Sequence, residues 1–190
     1  MPHDEGLALA AAALEAATVG PLLEVGSYCG KSAVYLGAAA RAARSVVFSI
    51  DHHHGSEEQQ AGWEHHDAEL LDVTGRIDTL PWFRRTIVDA GLEDVVVAVV
   101  GDSVTVASHW ARPLGLCFLD GGHALEVVRA DCEAWSGHVA PGGYLAFHDV
   151  FADPADGGQG PYEVWCEALS CGEFEAWSSI GSLRVLRRRP

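Results

Sequence analysis

Positive charge is scarce in this chain. Its 190 residues include 12 Lys and Arg against 27 Asp and Glu, which gives a formal net charge of −15. Proteins that bind nucleic acids meet the phosphate backbone with clustered Lys and Arg side chains. The one basic cluster, Arg184 with residues 187–189, lies at the C-terminal end, and we interpret it as a solvated tail. The sequence therefore argues against a nucleic-acid partner.

Long apolar runs and paired cysteines are also missing. No apolar span reaches 18 residues, so the sequence predicts no transmembrane helix and no membrane partner. The apolar stretch 7–14 follows Asp4 and Glu5, where a signal peptide would carry positive charge. The five cysteines are scattered without a CxxC pair, which is typical of reduced thiols rather than of a disulfide frame or a zinc site. We therefore expect a cytoplasmic protein.

The chain does contain a regular alternation of apolar runs and helical segments. The runs predict five parallel strands joined by right-handed crossovers, and a closing hairpin about Gly181 and Ser182 adds an antiparallel edge. The predicted strands are 22–25, 45–50, 95–100, 114–119 and 144–147, followed by the hairpin strands 174–180 and 183–186. The predicted helices are 4–18, 31–43, 81–90, 104–110, 124–139 and 162–169. At this length we expect one α/β domain that spans residues 1–190.

Residues 52–78 interrupt this alternation. The segment is too polar for a core element and too long for an ordinary loop, so we interpret it as a lid or substrate loop. Of the histidines 52–54, we expect one to face the cleft and the others to be solvated. Aromatic and polar side chains in or beside the segment suit a sugar ring, although the tryptophans could equally anchor the loop: Trp63, His65, His66 and Trp82.

A glycine loop follows the first strand, and three interpretations compete for it. The sequence from Gly26 to Gly30-Lys31-Ser32 is close to a P-loop, but three residues separate the glycines where a phosphate cradle needs four. The dinucleotide fingerprint G-x-G-x-x-G is absent. The third interpretation is a site for S-adenosylmethionine, which has no phosphate and needs no phosphate-binding lysine.

The run Glu24-Val25-Gly26-Ser27-Tyr28-Cys29-Gly30, with Asp51 ending the second strand, resembles the class I S-adenosylmethionine-dependent methyltransferases. The resemblance implies a Rossmann-like, doubly wound sheet of seven strands, mostly parallel, with one antiparallel strand near the C-terminal edge. It also implies that the glycine loop passes under the methionine part of the cofactor and that Asp51 accepts the ribose hydroxyls. The implied cofactor-binding residues are Glu24, Gly26, Ser27, Gly30, Ser32, Asp51, His52, Asp102, Ser103 and Asp120, with Asp102 and Ser103 at the adenine amine.

Two further motifs follow the fourth and fifth strands. Asp120-Gly121-Gly122-His123 and Phe147-His148-Asp149 resemble the D-G-x-H and F-H-D signatures of a small methyltransferase subgroup, which is similar to metal-dependent sugar O-methyltransferases. The resemblance implies a divalent metal, with Mg²⁺ preferred, on Asp120, His148 and Asp149. A hydroxyl acceptor needs a base or a metal near its oxygen, so Asp120, His123 and His148 are the expected catalytic residues.

The sequence thus predicts an O-methyltransferase that acts on a small hydroxylated acceptor. We expect a sugar, such as a precursor of polymethylated polysaccharides, and a homodimer, because the chain has no separate cap domain to cover the acceptor. A catechol-type or other natural-product O-methyltransferase is the alternative within enzymes. A non-catalytic cofactor-binding module and a P-loop-like nucleotide hydrolase are the alternatives outside that class.

Overall fold

A seven-stranded mixed sheet forms the centre of the protein in a computed structural model that describes residues 1–60, 62 and 67–190. The strand order is β3-β2-β1-β4-β5-β7-β6. Strands β1 to β5 pair in parallel, and β7 runs antiparallel to both of its neighbours, β5 and β6. The strands are Leu22–Val25 (β1), Val47–Asp51 (β2), Val96–Val100 (β3), Leu114–Leu119 (β4), Val139–Phe147 (β5), Phe174–Ile180 (β6) and Leu183–Arg188 (β7). The predicted fold, with a single antiparallel strand near the C-terminal edge, is confirmed.

Six α-helices among the described residues cover the two faces of this sheet. They are His3–Ala16 (α1), Lys31–Ala43 (α2), Leu80–Asp89 (α3), Ser103–Ala107 (α4), Leu125–Trp135 (α5) and Gly160–Ser170 (α6). Side chains alternate along each strand, so Leu22 packs with α1 to α3 and Leu23 packs with α4 to α6. Every residue of β1 and β4 is buried, as expected for central strands covered on both faces.

The start of β5 differs from the prediction. The sequence predicts a strand only over 144–147, but β5 begins at Val139 and also includes residues 141–143. The ladder with β4 slips there, from Leu114 opposite Val139 to Leu116 opposite Tyr144. The Pro-Gly-Gly sequence therefore forms a bulge within a paired strand, because the ladder with β4 overrides the local turn signal.

The other boundaries differ by a few residues. Strand β2 begins two residues later than predicted and includes Asp51, which pairs with Val100. Helices α4 and α5 end earlier than expected, and α5 continues into a 3₁₀ turn at Ser136–His138. In the part of the chain that the structure describes, no helix has the length and apolar character needed to cross a membrane.

The strand order places a crevice at one edge of the sheet. Strand β1 lies between β2 and β4. The chain runs from β1 to β2 and β3 on one side of β1 and then returns to β4 on the other side. Ligands of open α/β sheets bind at this switch point, outside the carboxyl ends of the strands. The glycine loop, Asp51, Asp120 and the His148-Asp149 pair all follow strands at this edge.

Candidate active site

The glycine loop is fixed by a close approach between two pieces of backbone. Gly26 has a φ of 86°, and a Cβ there would lie 2.3 Å from the carbonyl oxygen of Asp120. Only glycine fits this position, because any side chain would collide with main-chain atoms. The loop after β1 and the loop after β4 therefore form one continuous wall of the crevice.

Asp51 connects the glycine loop to the end of β2. Its Oδ2 accepts hydrogen bonds from the backbone N–H groups of Ser27, at 2.9 Å, and Tyr28, at 2.8 Å. Its Oδ1 accepts from the N–H of His53 at 2.7 Å. A carboxylate offers about four acceptor positions, so these three bonds leave capacity for a ligand hydroxyl. Asp51 thus organises the cleft and also lines it.

Six of the ten predicted cofactor-binding residues line this cleft, and four lie behind it. Those that line it are Gly26, Asp51, His52, Asp102, Ser103 and Asp120. Those that do not line it are Glu24, Ser27, Gly30 and Ser32, and all four are buried. Burial raises the pKa of Glu24 to about 7, against the opposing effect of the Ser49 and Ser32 hydroxyls. Glu24 therefore supports the loop from below rather than facing the cleft.

The three consecutive histidines have three different environments. His52 lines the cleft, and His54 is exposed. His53 was expected to be solvated, but it is buried, with its Nδ1 2.8 Å from the hydroxyl of Thr79. Its positive φ of 61° turns the backbone inward. From the segment 52–78, Gly55, Ser56 and Gln59 also line the cleft; Trp63, His65 and His66 lie outside the described residues.

Several cleft residues were missed by the sequence reasoning. The most informative is Asp131 on α5, which is buried and also lines the cleft. It lies on the helix face that carries Val128, Cys132 and Trp135. A carboxylate on the apolar face of an amphipathic helix was the signal that could have found it. Beyond the segment 52–78, the other cleft-lining residues outside the predicted cofactor-binding set are Val25, Tyr28, Ile50, Thr79, Gly101, Gly121, Gly122 and Val127.

Beyond the cleft, His148 is surrounded by three carboxylates. Its Nδ1 lies 3.0 Å from Asp120 Oδ1 and 3.1 Å from Asp149 Oδ2, and its Nε2 lies 2.7 Å from Glu5 Oε2. Burial lowers the pKa of His148, but the hydrogen bonds to Asp120 and Asp149 outweigh it and raise the pKa to about 10. The ring is therefore a cation at neutral pH, and both nitrogens donate. Both ring nitrogens thus face carboxylate oxygens in this structure, and the roles of metal ligand and base stay predictions for His148.

His123 and Asp149 complete the polar cluster. His123 Nε2 lies 3.1 Å from Asp149 Oδ2, and both side chains are about one third exposed. Burial raises the pKa of Asp149, but hydrogen bonds from His123 and His148 outweigh it, so the pKa is lowered. Burial raises the pKa of Asp120, partly offset by His148.

A metal ion fits between three of these residues. Asp120, His123 and Asp149 can each offer one ligand atom, and the three atoms lie within 4.8 Å of one another. Two carboxylates with one imidazole suit Mg²⁺ or Mn²⁺ when water and substrate oxygens complete the shell. Asp149 has a φ of 53°, an uncommon backbone for a residue other than glycine and one that clusters at functional sites.

A family model described as a methyltransferase domain matches residues 23–150, from β1 to just beyond β5. The chain belongs to this methyltransferase family. The match includes the glycine loop, Asp51 and the whole polar cluster except Glu5. The match and the fold agree with the class I S-adenosylmethionine-dependent methyltransferases that the resemblance implied, and the residues that line the cleft all lie within the matched range.

Solved structures share this methyltransferase fold at low sequence identity. The O-methyltransferase NovP has a TM-score of 0.73 and 15% identity, covering 96% of this chain and 78% of NovP. Cofactor-bound Rv0187 from MTB has a TM-score of 0.68 and 17% identity over 100% of this chain and 81% of its own. The calicheamicin methyltransferase CalS11 has a TM-score of 0.70 and 16% identity, covering 97% and 78% of the two chains.

Proposed function

We propose that this methyltransferase transfers a methyl group from S-adenosylmethionine to a hydroxyl of a small acceptor, with a divalent metal at Asp120, His123 and Asp149. The observation that carries the proposal is the position of Asp120. Its side chain lines the cofactor cleft and also belongs to the three residues that can hold a metal ion. A metal held there would lie beside the donor methyl group, where the acceptor oxygen has to be.

The chemistry explains why such a cluster is useful. An alkyl hydroxyl is a weak nucleophile at neutral pH, and a bound metal lowers the pKa of a coordinated oxygen. The new carbon–oxygen bond forms as the carbon–sulfur bond breaks, which leaves S-adenosylhomocysteine and releases the hydroxyl proton. His148 contacts Asp120 and Asp149 through its Nδ1 and so fixes the orientation of both carboxylates. We therefore assign His148 a positioning role and give the third ligand position to His123.

The acceptor that we propose is a sugar or a sugar-bearing molecule. Ser56 and Gln59 line the cleft, and Trp82 is 40% exposed at the start of α3. Sugar rings offer hydroxyls with one apolar face, which suits such a mixture. The fold is shared with the O-methyltransferase NovP and with the calicheamicin methyltransferase CalS11, which supports methyl transfer to a small acceptor. A homodimer whose second copy covers the acceptor remains part of the proposal.

The decisive experiment combines binding with turnover. S-adenosylmethionine and S-adenosylhomocysteine should raise the melting temperature of the protein, whereas ATP and NAD should not. Methyl transfer from labelled cofactor is then measured on a panel of sugars, catechols and glycosylated natural products, with EDTA and with Mg²⁺ restored. Stabilisation by ATP alone would reject the proposal. Transfer that survives EDTA would retain the O-methyltransferase and assign His123 as the base. Transfer to catechols but not to sugars would reject the sugar acceptor.

A further inference from the structure

Asp131 is a buried carboxylate that faces the cofactor cleft. Asp131 is 7% exposed and lies in the second turn of α5. A Cβ placed on Gly121 would lie 3.3 Å from its Oδ2, so the carboxylate reaches the loop that follows β4. Ser103, at the start of α4, borders the cleft next to it. Asp131 therefore lies at the end of the cleft where the adenine amine was predicted.

This carboxylate has few protein donors. In the described part of the chain the hydroxyl of Ser103 interacts with it, and Ser103 Oγ already accepts a hydrogen bond from Trp135 Nε1 at 2.8 Å. Among the described residues, no backbone N–H donates to Asp131. Burial raises its pKa, and the Ser103 hydroxyl offsets only part of this effect. A buried carboxylate in this situation is costly unless a ligand supplies donors.

Asp102, the residue predicted for the adenine amine, is already engaged elsewhere. Its Oδ1 accepts from the backbone N–H of Thr105 at 2.7 Å and from the Thr105 hydroxyl at 2.5 Å. These bonds make it the N-cap of α4, and they lower its pKa. Asp102 thus has a structural role as the N-cap of α4, and this role needs no ligand. Asp131 has no comparable structural role.

We propose that Asp131 accepts a hydrogen bond from the exocyclic amine of the purine and so selects a 6-aminopurine over a 6-oxopurine. The inference rests on the proposed use of S-adenosylmethionine and adds the residue that recognises its base. A 6-amino group presents N–H donors to the carboxylate, while a 6-oxo group presents an oxygen that the carboxylate repels. Sites that hydrogen-bond one substituent reject its replacement because the buried partner is left unpaired.

The test compares S-adenosylhomocysteine with S-inosylhomocysteine by calorimetry. Wild-type protein should bind the adenosyl ligand about 30-fold more tightly, since a hydrogen bond to a charged group has that order of effect. In Asp131→Asn the ratio should fall to about 1, because the amide can donate to the 6-oxo group. Glu133→Gln, an exposed carboxylate on the same helix, should keep the wild-type ratio.

Each result separates the two proposals. Wild-type protein that binds neither ligand would reject the proposed function itself. Wild-type protein that binds both ligands equally would reject only the role of Asp131, whatever the variants do. Discrimination that persists in Asp131→Asn but disappears in Asp102→Asn would transfer the role to Asp102 and overturn the inference. Thermal unfolding of each variant without ligand confirms that it is folded.

Discussion

The Nε2 of His148 lies 2.7 Å from Oε2 of Glu5, a residue 143 positions earlier in the chain. Both side chains are buried. Glu5 Oε1 also accepts hydrogen bonds from the backbone N–H and the hydroxyl of Ser182, in the turn between β6 and β7. The first turn of α1, the end of β5 and this turn are thus joined by one carboxylate beneath the polar cluster.

Glu5→Gln should destabilise the protein strongly. The change replaces the charged acceptor of the His148 Nε2–H and of the Ser182 N–H by a neutral amide, and we expect a loss of about 3 kcal/mol in the free energy of unfolding at pH 7, because hydrogen bonds to charged groups contribute about 1.5–3 kcal/mol each. Glu15→Gln is the matched control, because Glu15 lies on the same helix and accepts one hydrogen bond from Tyr144. That change should cost about 1 kcal/mol. Urea unfolding measures both, and equal losses would mean that the His148 contact adds nothing.

Glu24 should make stability fall as the pH rises. Its pKa in the folded protein is about 7, above the ordinary value of 4.5, so the folded state holds the proton more tightly than the unfolded state. The penalty is absent below pH 4.5 and grows until it is complete above pH 7, where it reaches about 3 kcal/mol. Glu24→Gln should therefore stabilise the protein at pH 8 and have little effect at pH 4.5.

The control for this pH dependence is Glu93→Gln, which removes an exposed carboxylate. Its unfolding free energy should follow that of the wild type at every pH. Measurements are made without cofactor, so any change in ligand affinity does not enter. A constant difference between Glu24→Gln and wild type from pH 4.5 to pH 8 would contradict the expected ionisation.

Manganese binding should depend on the proposed ligands. Asp120→Asn and His123→Ala should each weaken Mn²⁺ binding at least about 10-fold, because each removes or weakens a ligand. His109→Ala, beyond the end of α4, should leave the affinity unchanged. Titration followed by electron paramagnetic resonance gives the affinities directly. Equal affinities in all four proteins would remove the metal from the proposed site.

Asp51→Asn should weaken cofactor binding by acting on the ribose as well as on the loop. We expect S-adenosylhomocysteine to bind at least about 10-fold more weakly, from the loss of charge-assisted hydrogen bonds. Wild-type protein should also prefer this ligand to its 2′-deoxy analogue, and the variant should lose most of that preference. Asp72→Asn is the control, since Asp72 accepts backbone N–H bonds in a turn of the segment 52–78. An undiminished preference in Asp51→Asn would leave Asp51 with a purely structural role.

The sequence was sufficient for the sheet and for the edge at which the site lies. Strands buried on both faces are continuous apolar runs, and parallel strands end at one edge of the sheet. The sequence alone therefore predicts that Asp51 and Asp120 lie close together. The bulge in β5 could not be predicted, because the ladder with β4 stabilises residues that locally favour a turn.

The residues that surround His148 could not be predicted from the sequence either. The motif identified this residue, but its state depends on Glu5, which reaches it only through the packing of α1 on the sheet. Asp131 was missed for a similar reason: the helix period shows that it is buried, but only the fold shows which cavity that face borders. Side chains that interact across large sequence distances carry no local signal.

The contact between Gly26 and the Asp120 carbonyl also affects how acceptor preference can diverge. The distance between the glycine loop and the loop after β4 is set by main-chain atoms, and no side chain intervenes. From the described part of the segment 52–78, Gly55, Ser56 and Gln59 also line the cleft. If this segment is the substrate loop that the sequence predicts, insertions or exchanges in it should alter which molecule is methylated while the spacing of the two main-chain loops stays the same. Substitutions intended to change the acceptor preference should therefore be made in this segment.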